Sequence, residues 1–188
     1  MKMTTTGVLV YSSNTGIDTL SMALTKQQRY DILTSWGLGS ATPVSFLGED
    51  SGRITSPNVV DDVTQYTELF GQGMTATSAQ MAQAYQALGN GGVKVPLTLV
   101  QQCTSPEGKV THKASTTSTR VISESAANTT IAMMENVAVH GSAASTVGVP
   151  GYRIAIKTGT AEVAKDGKYT SDRIISVAGL APAEDPQF

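Results

Sequence analysis

Residues 150–162 read Pro150-Gly151-Tyr152-Arg153-Ile154-Ala155-Ile156-Lys157-Thr158-Gly159-Thr160-Ala161-Glu162. Residues 152–160 have the composition of a β-strand, but Lys157 and Gly159 interrupt it. Glycine weakens a strand interior and often marks the close approach of another backbone or ligand. A phosphate-binding loop is excluded, because that motif needs glycine before the lysine and Ile156 stands there. A second strand is expected over residues 173–180, with Asp166-Gly167-Lys168 in the connecting hairpin loop. The chain therefore ends in an antiparallel pair.

Upstream the pattern is helical. Ile17, Leu20 and Leu24 recur at helical spacing, and residues 26–36 predict a second helix stopped by Gly37 and Gly39. Residues 40–73 form a long irregular stretch holding Pro43, Pro57, Gly48, Gly52 and the pair Asp61-Asp62. Loops of that length are usually functional or wrap a surface. Residues 78–88 predict a helix capped by Thr77, with Gln80 as capping-box partner and Met81, Ala84, Tyr85 and Leu88 as its apolar stripe. Gly89-Asn90-Gly91-Gly92 ends it, since these residues tolerate left-handed backbone. Residues 97–102 and 109–112 predict short strands around a Pro106-Glu107-Gly108 turn. Residues 124–139 predict a helix capped by Ser123, with Ala127, Ile131, Met134 and Ala138 on one face and His140-Gly141 at its end. Helices first and an antiparallel pair last give a mixed α/β (α+β) fold, helices packed on an antiparallel sheet.

Composition narrows the function classes. The chain has 188 residues, enough for one domain with its own core. Charged residues are 15% and the net charge is −2, which argues against a basic nucleic-acid binder and against charge-driven disorder. A single cysteine, Cys103, excludes an intrachain disulfide and a multi-cysteine zinc site. His112 and His140 leave little for a histidine-based metal site. No stretch approaches a membrane span, and Val8-Leu9-Val10 is too short for a signal-peptide core.

A second motif, Ser12-Ser13-Asn14, stands directly before the first expected helix. Alone, S-x-N reads as a helix N-cap. Followed in order by Lys157-Thr158-Gly159, it supplies two of the three motifs of penicillin-recognising serine enzymes. The surrounding residues extend the likeness. They include Tyr11-Ser12-Ser13-Asn14-Thr15-Gly16, Phe70-Gly71-Gln72-Gly73-Met74 and Gln80-Met81-Ala82-Gln83-Ala84-Tyr85, then Asn90-Gly91-Gly92. They continue through residues 150–162 to Val177-Ala178-Gly179-Leu180-Ala181-Pro182 and Asp185-Pro186. Over nearly its whole length the chain resembles the transpeptidase domain of class B penicillin-binding proteins.

That resemblance implies a penicillin-recognising transpeptidase / β-lactamase-like fold and cell-wall transpeptidation. In that reaction a serine attacks a D-Ala-D-Ala stem peptide of peptidoglycan, D-Ala leaves, and a neighbouring amine takes the acyl group. β-Lactam antibiotics are the implied inhibitors. No cofactor, no metal and no nucleic acid are implied. The implied location is extracytoplasmic, on a membrane-anchored parent. Catalytic roles fall on Ser12, Asn14 and Lys157. Ser12 relays a proton, Asn14 orients the substrate and the catalytic lysine, and Lys157 supplies positive charge. Thr158, Gly159 and Thr160 are the implied substrate-binding residues, with the Thr160 N–H as an oxyanion donor. Side chains alternate along a strand, so Thr158 and Thr160 point one way and Lys157 the other. Both sets reach one ligand only if residues 152–160 form a sheet edge, to which substrate adds as an extra strand.

The third motif, S-x-x-K, carries the family's nucleophile, and no lysine here has serine three residues before it. The resemblance places that motif before Met1, and a further strand and closing helix after Phe188. The expectation is a partial transpeptidase domain over residues 1–188, not acylated by itself, with an exposed edge favouring dimerisation or strand exchange. The alternatives are a non-catalytic penicillin-binding-like sensor or scaffold and a serine β-lactamase or D,D-carboxypeptidase. Cys103 is expected to be a small buried or semi-exposed residue rather than a nucleophile, Trp36 to pack at a helix end, and His112 to be a solvated loop residue. Asp61-Asp62 and residues 115–119 read as solvated loop surface.

Overall fold

The structure, a computed structural model, describes residues 2–44 and 46–188. The first element, α1 (Thr5–Val10), was not foreseen; its apolar Val8, Leu9 and Val10 are helical, and Thr4 caps it by accepting from the Gly7 N–H at 3.1 Å. Next comes α2 (Asn14–Ser21), three residues earlier than the apolar spacing suggested. A Cβ at Gly16 would lie 2.7 Å from a Val8 methyl, so glycine there lets α2 approach α1 closely. α3 (Lys26–Ser35) opens on a capping box between Thr25 and Gln28 and closes at Trp36.

Residues 40–73 are not wholly irregular: α4 (Thr64–Thr67) runs into a 3₁₀ turn, Glu68–Phe70. Asp61 starts α4 by accepting from the N–H groups of Val63 and Thr64, both at 2.8 Å. The Thr64 side chain, then these backbone bonds, pull the Asp61 carboxyl down to about 2, while Asp62 pairs with Lys26 at 3.3 Å.

α5 (Ser78–Gly89) has the expected Thr77–Gln80 capping box. Its buried stripe, however, is Gln80, Gln83, Ala87 and Leu88, and Met81 is exposed. The reason is polar. Gln80 accepts from the Thr77 N–H at 2.8 Å and donates to the carbonyls of Ser40 at 2.8 Å and Ser51 at 2.7 Å. It pins the long 40–52 loop to the helix, a use of burial that counting apolar residues cannot detect.

Two small sheets follow. β1 (Val93–Lys94) pairs antiparallel with β4 (Thr119–Arg120), neither of them expected. β2 (Gln102–Thr104) pairs with β3 (Val110–Lys113) through a bulge. Residues 97–101, expected to be strand, lie outside β2, and Cys103 is exposed on it rather than buried or semi-exposed. Trp36 does pack against the core.

α6 (Glu124–His140) is the central helix, capped by Ser123 and ending on His140, a basic residue at the negative end of the helix dipole. It buries Ala127, Ile131, Met134, Val137 and Ala138, a stripe at spacings of four and three. After α7 (Ala144–Val147) come β5 (Ala155–Lys165) and β6 (Lys168–Leu180), a long antiparallel hairpin. Residues 152–154 precede the strand rather than belonging to it. The turn is Asp166-Gly167, both at positive φ, 52° and 74°, as a twist-matched two-residue hairpin requires.

Leu88, Ala127, Ile131, Met134, Ala155, Leu180 and Ala183 form one core cluster, joining α5, α6 and the base of the hairpin. Val137, Ala138 and Ile156 form another, closed by Leu9 and Val10 of α1. α6 thus lies under β5 and carries α1 beside it, which sets the Ser12 turn against the middle of β5. The outer edge of β6 has no strand partner among the described residues, and Ile174, Ile175 and Val177 are exposed on it.

Candidate active site

The Ser12-Ser13-Asn14 turn joins α1 to α2. Ser12 has φ 48°, left-handed backbone that non-glycine residues seldom adopt. The turn is held by Ser12 N–H to Leu9 C=O at 3.2 Å and Ser13 N–H to Val8 C=O at 2.9 Å. The N-cap of α2 is the middle residue: Ser13 Oγ accepts from the Gly16 N–H at 3.1 Å. Capping therefore uses Ser13 and leaves the side chains of Ser12 and Asn14 for the cleft that both line.

Lys157 closes the arrangement. Its Nζ donates to Ser12 Oγ, 145 residues away in sequence, and to the Thr158 carbonyl at 2.8 Å. Partial burial disfavours the charged form and lowers its pKa below the ordinary lysine value. A strand residue's N–H and C=O point to the same side, and that side alternates along the strand. The Thr158 carbonyl meets the ammonium on the cleft side, so the Thr160 N–H, two residues on, also faces the cleft. β6 holds one edge of β5; the other has no strand partner among the described residues and borders the cleft.

The cleft has a volume of about 570 Å³. Ser12, Asn14, Lys157, Thr158, Gly159 and Thr160 all line it, so every sequence-predicted site residue comes to one place. Four consecutive residues of β5, 157–160, line it, as an edge strand allows. Lys157 is its one charged lining side chain among the described residues, a setting that suits an anionic ligand group such as a carboxylate.

The far wall was missed as part of the site. Ile17 of α2 with Leu69, Phe70 and Gln72 forms it, and Ser142, just past α6, adds to the rim. The glycines flanking Gln72 were the available signal, because Gly71 and Gly73 both have positive φ, which turns the chain sharply there. A second hollow, about 640 Å³, lies at the other end of α6 and holds none of the S-x-N or K-T-G residues. Across it Arg153 makes a bidentate pair with Glu135, Nη2 donating to Oε1 at 2.8 Å and Nε to Oε2 at 3.3 Å.

The penicillin binding protein transpeptidase domain matches residues 1–188. The chain belongs to this transpeptidase family. Peptidoglycan D,D-transpeptidase FtsI of Escherichia coli is 37% identical over 188 residues, covering the whole chain and 30% of that protein. Penicillin-binding protein PbpB of Mycolicibacterium smegmatis is 36% identical, again over the whole chain and 30% of its own length. The crystal structure of penicillin-binding protein 3 from Mycobacterium tuberculosis, complexed with aztreonam, superposes with a TM-score of 0.91 at 35% identity. That match covers 99% of this chain and 44% of the other. The fold is accordingly the penicillin-binding transpeptidase fold. The transpeptidase-family chain spans about 30% of the length of the curated relatives it matches. No helix among its described residues is long and apolar enough to cross a membrane.

Proposed function

We propose that the protein carrying this chain is a peptidoglycan D,D-transpeptidase of the cell wall that forms a serine acyl-enzyme and is acylated by β-lactams. The observation that carries this reading is the contact of Lys157 with Ser12 at the edge of β5, joining two motifs that are far apart in sequence. The names of the relatives support it, as does the aztreonam complex of the Mycobacterium tuberculosis protein.

On this reading the stem peptide docks along the free edge of β5. Its terminal carboxylate meets Lys157 and the hydroxyls of Thr158 and Thr160. Gly159 lets the peptide lie flat on the strand. Ser12 passes a proton to the departing D-Ala amine, and Lys157 holds the Ser12 hydroxyl in place and favours its deprotonated form. Asn14 orients the substrate amide. The Thr160 N–H stabilises the oxyanion, a contact whose loss typically costs about 10²–10³ in rate. The nucleophilic serine comes from outside residues 1–188, so this chain is one part of a transpeptidase domain and is not itself acylated. The parent acts outside the cytoplasm, where peptidoglycan is, and is anchored to the membrane by another segment. The free β6 edge makes the isolated chain prone to self-association.

The test is labelling of the full-length protein with a fluorescent penicillin, followed by peptide mapping. The expected label lies on a serine outside residues 1–188, and Ser12→Ala and Lys157→Met slow labelling about 10²–10³-fold. Absence of label, or a label within this chain, would refute the reading.

A further inference from the structure

The far wall of the cleft belongs to two elements that are not joined in sequence, α2 and the turn after α4. One buried cation ties them together. Arg29 of α3 is only 9% exposed. Its Nη1 donates to the Leu24 carbonyl at 3.1 Å and to the Ser21 carbonyl, the last of α2, at 3.4 Å. Its Nη2 donates to Gln65 Oε1 of α4 at 2.9 Å, and the guanidinium lies 5.6 Å from the Tyr66 ring centroid. One planar fork therefore caps the C-terminal end of α2 and grips α4 at the same time. Only arginine has the donor geometry to do both.

The two gripped elements present the cleft's lining. α2 begins with Asn14 and carries Ile17, while α4 runs directly into the turn carrying Leu69, Phe70 and then Gln72. A second anchor secures the turn from behind. The buried Glu68 accepts from the Thr55 N–H at 2.9 Å, and residue 53 pairs with Thr75. The side chains of Asn14 and Gln72 make no hydrogen bond among the described residues, so both are available to a ligand.

We infer that Arg29 is a positioning residue of this site. It sets the spacing between Asn14 on α2 and the Phe70–Gln72 wall, and thereby governs how well the cleft accepts bulky groups on the acyl side of the substrate. This inference rests on the transpeptidase reading for its choice of ligand, but not for the clamp itself. A buried guanidinium with three anchors holds two discrete walls at a fixed distance. Loosening it degrades binding more than chemistry: Asn14 shifts with α2, while Ser12, Lys157 and Thr160 are held by α1 and β5.

The experiment uses the full-length protein with Arg29→Lys, Arg29→Met and Gln65→Ala. Two readouts are taken: β-lactam acylation resolved into Kd and the first-order acylation rate, and hydrogen exchange of residues 14–21 and 64–72. Gln65→Ala keeps the buried cation and guards against misfolding of the Arg29 variants. Expected are an increase of about tenfold in Kd for a β-lactam with a bulky side chain, a smaller one for a compact β-lactam, and a change in acylation rate smaller than the change in Kd. Exchange should quicken in both segments together while α6 stays protected. An unchanged Kd, an effect equal for bulky and compact compounds, or exchange that quickens in one wall alone would overturn the clamp. If the wild type is not acylated at all, the transpeptidase reading fails, and the exchange result still decides the clamp.

Discussion

Gln80→Ala is the sharpest test of how this fold supports its cleft. Gln80 is fully buried, and its amide makes three hydrogen bonds: from the Thr77 N–H, and to the carbonyls of Ser40 and Ser51. At about 1 kcal/mol net for each, the substitution costs about 3 kcal/mol, before any cost for carbonyls left unpaired. For a domain of this size, a change of 1 kcal/mol shifts Tm by about 2–4 °C, so the expected drop is about 6–12 °C. Gln80→Glu separates hydrogen bonding from packing. It keeps the acceptor for Thr77 but sets a carboxylate against two carbonyl oxygens. Burial and those oxygens raise the pKa of the new carboxyl in the folded state. A raised folded pKa contributes stability below the unfolded value, lost as pH rises through the folded one. Gln80→Glu should therefore be closer to wild type at pH 4 than at pH 7. The assay is thermal unfolding by circular dichroism, with limited proteolysis of residues 40–52 to locate the loosening. A Tm drop under about 2 °C for Gln80→Ala, with no new cleavage in that loop, would refute the idea that this side chain holds the loop to α5.

The remaining expectations are briefer. Gly92→Ala combines φ of +82° with a Cβ driven into the Ile122 carbonyl oxygen, so it should cost over about 2 kcal/mol; calorimetry showing a neutral change would contradict that geometry. The Asp61 carboxyl is lowered to about 2 by the Thr64 side chain first and then by the backbone N–H groups of Thr64 and Val63. Its lowered pKa contributes stability that is complete above the ordinary value of 3.8 and lost as pH falls towards 2, which carbon-detected NMR titration against Asp61→Ala can follow. Lys157, lowered by burial, has the same sign: relative to Lys157→Met, the wild type should gain stability as pH rises towards 10.5. A flat difference in chemical-denaturation midpoints across that range would show that burial does not disfavour the lysine's charge.

Much of the local structure was legible because its causes are local. Thr77 with Gln80, Ser123, and Asp166-Gly167 are capping and turn signals that act within four residues, and each does so here. The stripe of α6 was legible because this helix buries only apolar side chains. The apolar stripe expected on α5 differs from its buried face because half of that face is glutamine, with partners 29 and 40 residues away for Gln80 and 12 away for Gln83. α1 was missed because six residues are too few for a periodicity to stand out, and its stability comes from packing on α6.

The candidate site divides in the same way. Two short motifs were enough to nominate Ser12, Asn14, Lys157, Thr158, Gly159 and Thr160 as candidate site residues, and all of them line one cleft. Sequence alone also determined that the lysine strand needed a free edge. Only the tertiary structure decided that Ser13 is the cap, that Lys157 reaches Ser12, and that Phe70 and Gln72 face them across the cleft. Local hydrogen bonds and side-chain alternation are written in neighbouring residues. The meeting of a turn, a strand and a distant loop depends on how α6 stacks α1 against β5, and on buried polar anchors such as Arg29 and Gln80. Their energy comes from partners far along the chain.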